Sequence, residues 1–130
     1  MKPGPRILVV DDDPSIAEML ARAFSRRGYR VDAVQSVDEA LERFGEAPHD
    51  AAVLDLVMPE RDGMDLARNL RSQSPGIPIA ILTGYVHSPL LPKEQRGGLA
   101  LFKKPVVIQE VVDFLDAELG RTPERDTPRG

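Results

Sequence analysis

The sequence predicts one α/β domain in which a five-stranded parallel sheet carries helices on both faces. Two observations support this. Short apolar runs alternate along the chain with segments whose apolar residues recur at helical spacing, the order of repeated βαβ units. The runs are also continuously apolar rather than alternating, as strands buried on both sides must be. At 130 residues the chain fits one domain and is long enough to bury a core.

Each element can be justified in turn. After an N-terminal extension, residues 1–5, the first strand is Ile7-Leu8-Val9-Val10, and it stops at Asp11-Asp12. The first helix begins at Asp13-Pro14, with Asp13 as N-cap and Pro14 at N1. Ile16, Leu20, Ala23 and Phe24 make its buried stripe, and Gly28 ends it. The second strand, Arg30 to Val34, is mixed in polarity and belongs at an edge of the sheet. Ser36 caps a second helix, marked by Val37, Ala40, Leu41 and Phe44 and stopped by Gly45. The third strand, Ala51-Ala52-Val53-Leu54, stops at Asp55; Met58-Pro59 shapes the loop that follows, and Asp62-Gly63 turns the chain into a helix marked by Met64, Ala67 and Leu70. The fourth strand, Ile79-Ala80-Ile81-Leu82, stops at Thr83.

The next crossover, Ser88 to Gly98, holds two prolines and a glycine pair. With Ser88 capping and Pro89 at N1, Pro92 falls at N4, where its missing N–H removes a helix bond. A short or irregular fourth helix of about one to two turns is expected there. Leu99-Ala100-Leu101-Phe102 then runs into Lys103-Lys104-Pro105. Ile108, Val111, Val112, Leu115 and Leu119 mark the last helix, closed by Gly120. The folded domain is expected over residues 6–120. Residues 121–130, rich in Pro, Thr and charge, are expected to be a disordered tail.

Composition excludes several functions. The net charge of -4 argues against direct nucleic-acid binding by this chain, which needs a clustered basic face. Cysteine is absent, which rules out disulfides and thiolate metal sites. No apolar stretch reads as a signal peptide or a membrane span, so a cytoplasmic location is expected.

In an open parallel sheet, ligands sit beyond the carboxyl ends of the strands, where strand order reverses. Asp11, Asp12 and Asp55 converge there only if the first strand lies beside the third. A flavodoxin-like order, 2-1-3-4-5, achieves this with right-handed crossovers throughout. Three carboxylates at ~4 Å repel by roughly 4 kcal/mol per pair at an effective dielectric of 20. Such a cluster must bind a cation, take up a proton or pair with a base. Hard oxygen ligands favour Mg²⁺, with Mn²⁺ as the alternative. Lys104 can neutralise a carboxylate and later a phosphoryl oxygen, while Thr83 supplies a small hydroxyl donor. Phosphoryl transfer needs mainly positioning and charge neutralisation, and this set provides both.

Five segments in order resemble response-regulator receiver domains: Ile7 to Pro14, Leu54 to Pro59, Asp62-Gly63, Leu82 to Tyr85, and Lys104-Pro105. The resemblance covers about Arg6 to Leu119. It implies that Asp55 accepts a phosphoryl group from the phosphohistidine of a sensor histidine kinase or a phosphotransfer protein. It also implies that Asp12 binds Mg²⁺ directly and Asp11 through a water, with Asp55 and the backbone carbonyl of Val57 completing the protein ligands. Lys104 would contact the phosphoryl group, and Thr83 would move toward it and report the change to a downstream protein partner. Such a domain is a phosphorylation-switched module rather than an enzyme, although it catalyses its own phosphoryl transfer and the hydrolysis of its aspartyl phosphate.

Three departures from the family pattern bear on output rather than on the site. The aromatic residue expected three positions before the Lys is Leu101, and the neighbouring Phe102 points to the other face of the strand. The proline-broken crossover occupies the place of the family's fourth helix. The interval from Thr83 to Lys104 is about one residue short. Among the remaining polar residues, Asp13 reads as a helix cap, Asp62 as a turn residue and Lys103 as solvent-facing, while His49 and His87 read as isolated loop residues without a functional role. Tyr85 reads equally well as surface packing or as a substitute for the missing aromatic.

Two alternatives follow from the same residues. A pseudo-receiver would bind a partner without phosphorylation, as Leu101 and the broken crossover suggest. A haloacid-dehalogenase-type phosphatase would use Asp11-x-Asp13-x-Ser15, but Pro14 draws Asp13 into a helix cap and Asp55 is left without a role.

Overall fold

The computed structural model describes residues 4–58, 61–84 and 98–121, with Arg61 described by its backbone only. Five strands form one sheet: β1 (Arg6–Val10), β2 (Arg30–Val34), β3 (Ala51–Asp55), β4 (Ile79–Thr83) and β5 (Leu99–Lys103). Four helices are described: α1 (Pro14–Arg26), α2 (Val37–Glu46), α3 (Gly63–Gln73) and α4 (Ile108–Glu118). The sheet order is β2-β1-β3-β4-β5 and every neighbouring pair is parallel, the flavodoxin-like arrangement expected from the sequence.

Side chains alternate across the sheet and build two cores. Leu8, Val10, Ala52, Leu54, Ile79 and Ile81 pack with α2 and α3 on one face. Ile7, Val9, Ala51, Val53, Ala80 and Leu82 pack with α1 and α4 on the other. Both faces of β1, β3 and β4 are therefore dry, which is why these strands read as continuous apolar runs. β2 is the mixed edge strand, and its Asp32 forms ion pairs with Arg6 at 3.2 Å and Arg43 at 3.9 Å and a hydrogen bond with the His49 Nε2 at 2.8 Å. Although burial opposes it, His49 and Arg6 hold the Asp32 carboxyl below its usual range.

The helix starts follow their caps. The Asp13 carboxylate accepts the Ser15 N–H with Pro14 at N1, Ser36 accepts the Glu39 N–H, and Asp62 accepts the Met64 N–H. Several details differ from expectation. Gly45 does not stop α2, which continues to Glu46; one glycine costs a helix only about 1 kcal/mol, and the packed stripe outweighs it. Ala17 is fully buried in α1, whereas Ile16 and Ala23 are half-buried at the rim of the core. Asp62 is a helix cap as well as a turn residue. It also ends a small antiparallel hairpin, Val57–Met58 against Arg61–Asp62, that nothing in the sequence suggested. The Ser88 to Gly98 crossover lies outside the described residues except for Gly98, as do Tyr85, His87, Pro59 and residues 122–130.

His49 is not isolated. It is buried, stacked on Phe44 and bonded to Asp32, so its role is structural. Arg121, assigned from the sequence to the tail, packs against the domain: its guanidinium donates to the Arg27 carbonyl at 2.9 Å and lies 4.2 Å from the centre of the Tyr29 ring. Beneath it the fully buried Asp116 accepts from Arg27 (2.8 Å) and from the Tyr29 hydroxyl (2.5 Å), tying the end of α1 to the end of α4. Burial and the bond to Asp116 push the Tyr29 hydroxyl up to about 12.

Candidate functional site

Parallel register sets the site. Val10 pairs with Leu54, so the residues that follow them, Asp11 and Asp55, lie side by side at the carboxyl edge of the sheet. Asp55 pairs with Leu82, which leaves Thr83 one residue further out on β4, and Thr83 pairs with Lys103. The Lys104 N–H then donates to the Thr83 carbonyl at 2.7 Å, so the short Thr-to-Lys interval still sets the two residues side by side. The peptide from Lys104 to Pro105 is cis.

One carboxylate oxygen each from Asp11, Asp12 and Asp55 lies within 4.8 Å of the other two. Asp11 and Asp55 are buried, while Asp12 is exposed at the mouth of the site. The Lys104 ammonium bridges the buried pair, 3.2 Å from Asp55 Oδ1 and 3.5 Å from Asp11 Oδ2. Asp11 Oδ1 accepts the Asp13 N–H at 2.9 Å. Asp11 Oδ2 is buried and makes no hydrogen bond among the described residues; its separation from Lys104 is an ion-pair distance only.

Burial dominates the electrostatics. It pushes the Asp55 carboxyl up to about 6, with the Asp11 charge adding to the rise and Lys104 opposing it. Asp11 is raised for the same reason, against the pull of the Asp13 N–H and Lys104. Burial alone would lower Lys104, but the two facing carboxylates outweigh it and its ammonium is held above the usual range. A buried carboxylate pair bridged by a single ammonium, with one oxygen that has no hydrogen bond to a described residue, fits a hard divalent ion. Asp11, Asp12 and Asp55 are the side chains that could hold one.

All five side chains expected at the site, Asp11, Asp12, Asp55, Thr83 and Lys104, lie at this one edge of the sheet. Thr83 is buried at the end of β4. Val57 stands in the small hairpin just after Asp55 and is 59% exposed. Asp13 spends its carboxylate on capping α1, as expected, and Lys103 is exposed. On β5, Phe102 packs against Phe114 in the α1/α4 core with ring centres 5.6 Å apart, while Leu101 is 37% exposed. Phe102 therefore cannot take the place that Leu101 holds. Gly63, which pattern reading treated only as part of a turn, is an unforeseen member of the site's frame: its N–H donates to the Leu56 carbonyl at 2.7 Å.

A family model described as the response regulator receiver domain matches residues 7–116. Among curated proteins, the chain is 37% identical over 124 residues to response regulator MprA of Mycobacterium sp. (strain KMS), covering 95% of this chain and 54% of that protein. It is 38% identical over 122 residues to MprA of Mycolicibacterium vanbaalenii, covering 93% and 53%. The chain thus spans about half the length of these curated relatives. The fold superposes on the Francisella response regulator 1452 receiver domain with a TM-score of 0.79 and 28% identity, covering 92% of this chain and all of that one, 100%. It also superposes on the response regulator TrrA of Thermotoga maritima, solved in complex with Mg²⁺-BeF, with a TM-score of 0.76 and 29% identity, covering 88% and 98%.

Proposed function

The chain belongs to the response-regulator receiver family, and we propose that Asp55 is its phospho-acceptor, with residues 6–120 as the switching unit. An Asp55 carboxylate oxygen attacks the phosphorus of a phosphohistidine on a sensor histidine kinase or phosphotransfer protein. An O–P bond forms, the N–P bond breaks, and the imidazole leaves with a proton. Lys104, 3.2 Å from Asp55, balances the carboxylate beforehand and the phosphoryl oxygens afterward. Thr83 hydrogen-bonds the new phosphoryl group and carries the change toward β4 and β5. Asp11, Asp12, Asp55 and the Val57 carbonyl hold Mg²⁺, or Mn²⁺, and when bound the ion supplies charge neutralisation for the transferring group. Hydrolysis of the aspartyl phosphate resets the switch, and its readers are downstream proteins in the cytoplasm.

The observation that supports this reading is the buried Asp11–Asp55 pair bridged by one ammonium, with Asp11 Oδ2 left without a hydrogen bond among the described residues. Borohydride trapping of the acyl phosphate, followed by peptide mapping, tests it. Modification at Asp55 is expected. Modification at Asp11 would instead favour the phosphatase reading, in which Asp11 is the nucleophile.

A further inference from the structure

The two peptides that follow Asp55 are each held by one backbone hydrogen bond. The Leu56 N–H donates to the Leu82 carbonyl of β4 at 2.8 Å. On the other side Gly63, the first residue of α3, donates its N–H to the Leu56 carbonyl. A Cβ on Gly63 would stand 2.2 Å from the Asp55 carbonyl oxygen and 2.9 Å from the Leu56 Cα, both backbone atoms that cannot rotate aside. Real Cβ contacts do not come that close, so any side chain there must push the Asp55–Leu56 peptide or the start of α3 away. The space is needed for close approach, not for an unusual dihedral angle. Chain continuity makes this consequential, because the Asp55–Leu56 and Leu56–Val57 peptides together separate the Asp55 side chain from the Val57 carbonyl. The pairing of Val57–Met58 with Arg61–Asp62 and the Asp62 cap on Met64 N tie this stretch to the start of α3.

We propose that Gly63 is a positioning residue that sets the metal preference of the site, by fixing the spacing of the Asp55 carboxylate and the Val57 carbonyl before any ion binds. The proposal rests on the reading of these groups as cation ligands. Mg²⁺ demands near-ideal octahedral geometry at about 2.1 Å, whereas Ca²⁺ accepts longer and more variable distances. A frame held on both sides favours the smaller ion, and a displaced peptide removes that advantage while removing none of the three carboxylates. Gly63 therefore acts on the difference between two ions as well as on overall affinity.

The test is calorimetric titration of wild type, Gly63→Ala and Gly45→Ala with Mg²⁺ alone and Ca²⁺ alone, with far-UV circular dichroism as the fold check. Gly45 has open space around it and serves as the control. Gly63→Ala is expected to weaken Mg²⁺ about tenfold and Ca²⁺ less than about threefold, while Gly45→Ala leaves both unchanged. If Gly63→Ala does not keep its helical spectrum, Asp62→Ala loosens the same turn without a clash, and about a threefold fall in the Mg²⁺-to-Ca²⁺ ratio is expected. Equal losses for the two ions, or none, in a folded variant would overturn the proposal. Failure of wild type to bind Mg²⁺ at all would overturn the cation reading beneath it, and the proposal with it.

Discussion

The charge balance around Asp55 decides the behaviour of the site. With a folded pKa of about 6 against ~3.9 for an unfolded carboxylate, Asp55 binds a proton more tightly in the folded, metal-free protein. That contribution to stability is complete below pH ~4 and is lost as pH rises through about 6. Asp55→Asn never carries the charge, so the metal-free variant should be more stable than wild type at pH 7 by about 1–3 kcal/mol. The gap should shrink toward zero near pH 4, and urea titrations at several pH values check it. The same proton competes with metal, so Mg²⁺ affinity should fall as pH drops below about 6, as calorimetry at stepped pH would read. Lys104→Ala should keep the fold, since β5 and its backbone bond to Thr83 do not depend on the side chain. Without its ammonium 3.2 Å from Asp55, the variant should bind Mg²⁺ more tightly yet lose at least about tenfold in phosphorylation rate. A rate equal to wild type would remove Lys104 from the mechanism.

At the scale of elements, local signals in the sequence were good guides where one residue type has one cause. Asp13-Pro14 and Ser36 each announced a helix start, because a capping oxygen is needed where backbone N–H groups are orphaned. Asp62 reads in the sequence only as a turn residue and proves to be a cap as well. Leu101 and Phe102 were separable by strand alternation alone. Gly45 was misread as a stop, since a weak propensity yields to a buried stripe. The hairpin after Asp55 has only two residues per strand, too few for any period to register. Asp116 was missed although it interrupts the apolar stripe of α4, four residues after Val112 and one after Leu115. Its partners Arg27 and Tyr29 lie nearly ninety positions away, and no local pattern links them. Asp116→Ala removes the buried carboxylate that both Arg27 and the Tyr29 hydroxyl bond, and should cost about 3–5 kcal/mol. Chemical denaturation measures this, and a cost below 1 kcal/mol would mean that the pair does not hold α1 to α4.

For the whole molecule, topology turns distant letters into one site. Asp11, Asp55, Thr83 and Lys104 come together because β1 lies beside β3, β3 beside β4 and β4 beside β5, all parallel. The strand order and the acidic cluster were legible because each strand ends in a polar residue at the same edge. The orphaned Asp11 oxygen, the bridging geometry of Lys104 and the contact of Gly63 with the Asp55 backbone were not, since each depends on distances that no spacing rule encodes. The central claim is that Asp55 accepts the phosphoryl group in a cation-dependent step. Intact mass after incubation with Mg²⁺ and acetyl phosphate, with Asp55→Asn and an EDTA-treated sample alongside, tests it most directly. One hydroxylamine-labile phosphoryl adduct on wild type, absent from both controls, is the expected result. An adduct of equal yield on Asp55→Asn, or no adduct on Mg²⁺-bound wild type from either acetyl phosphate or a phosphorylated kinase, would contradict it.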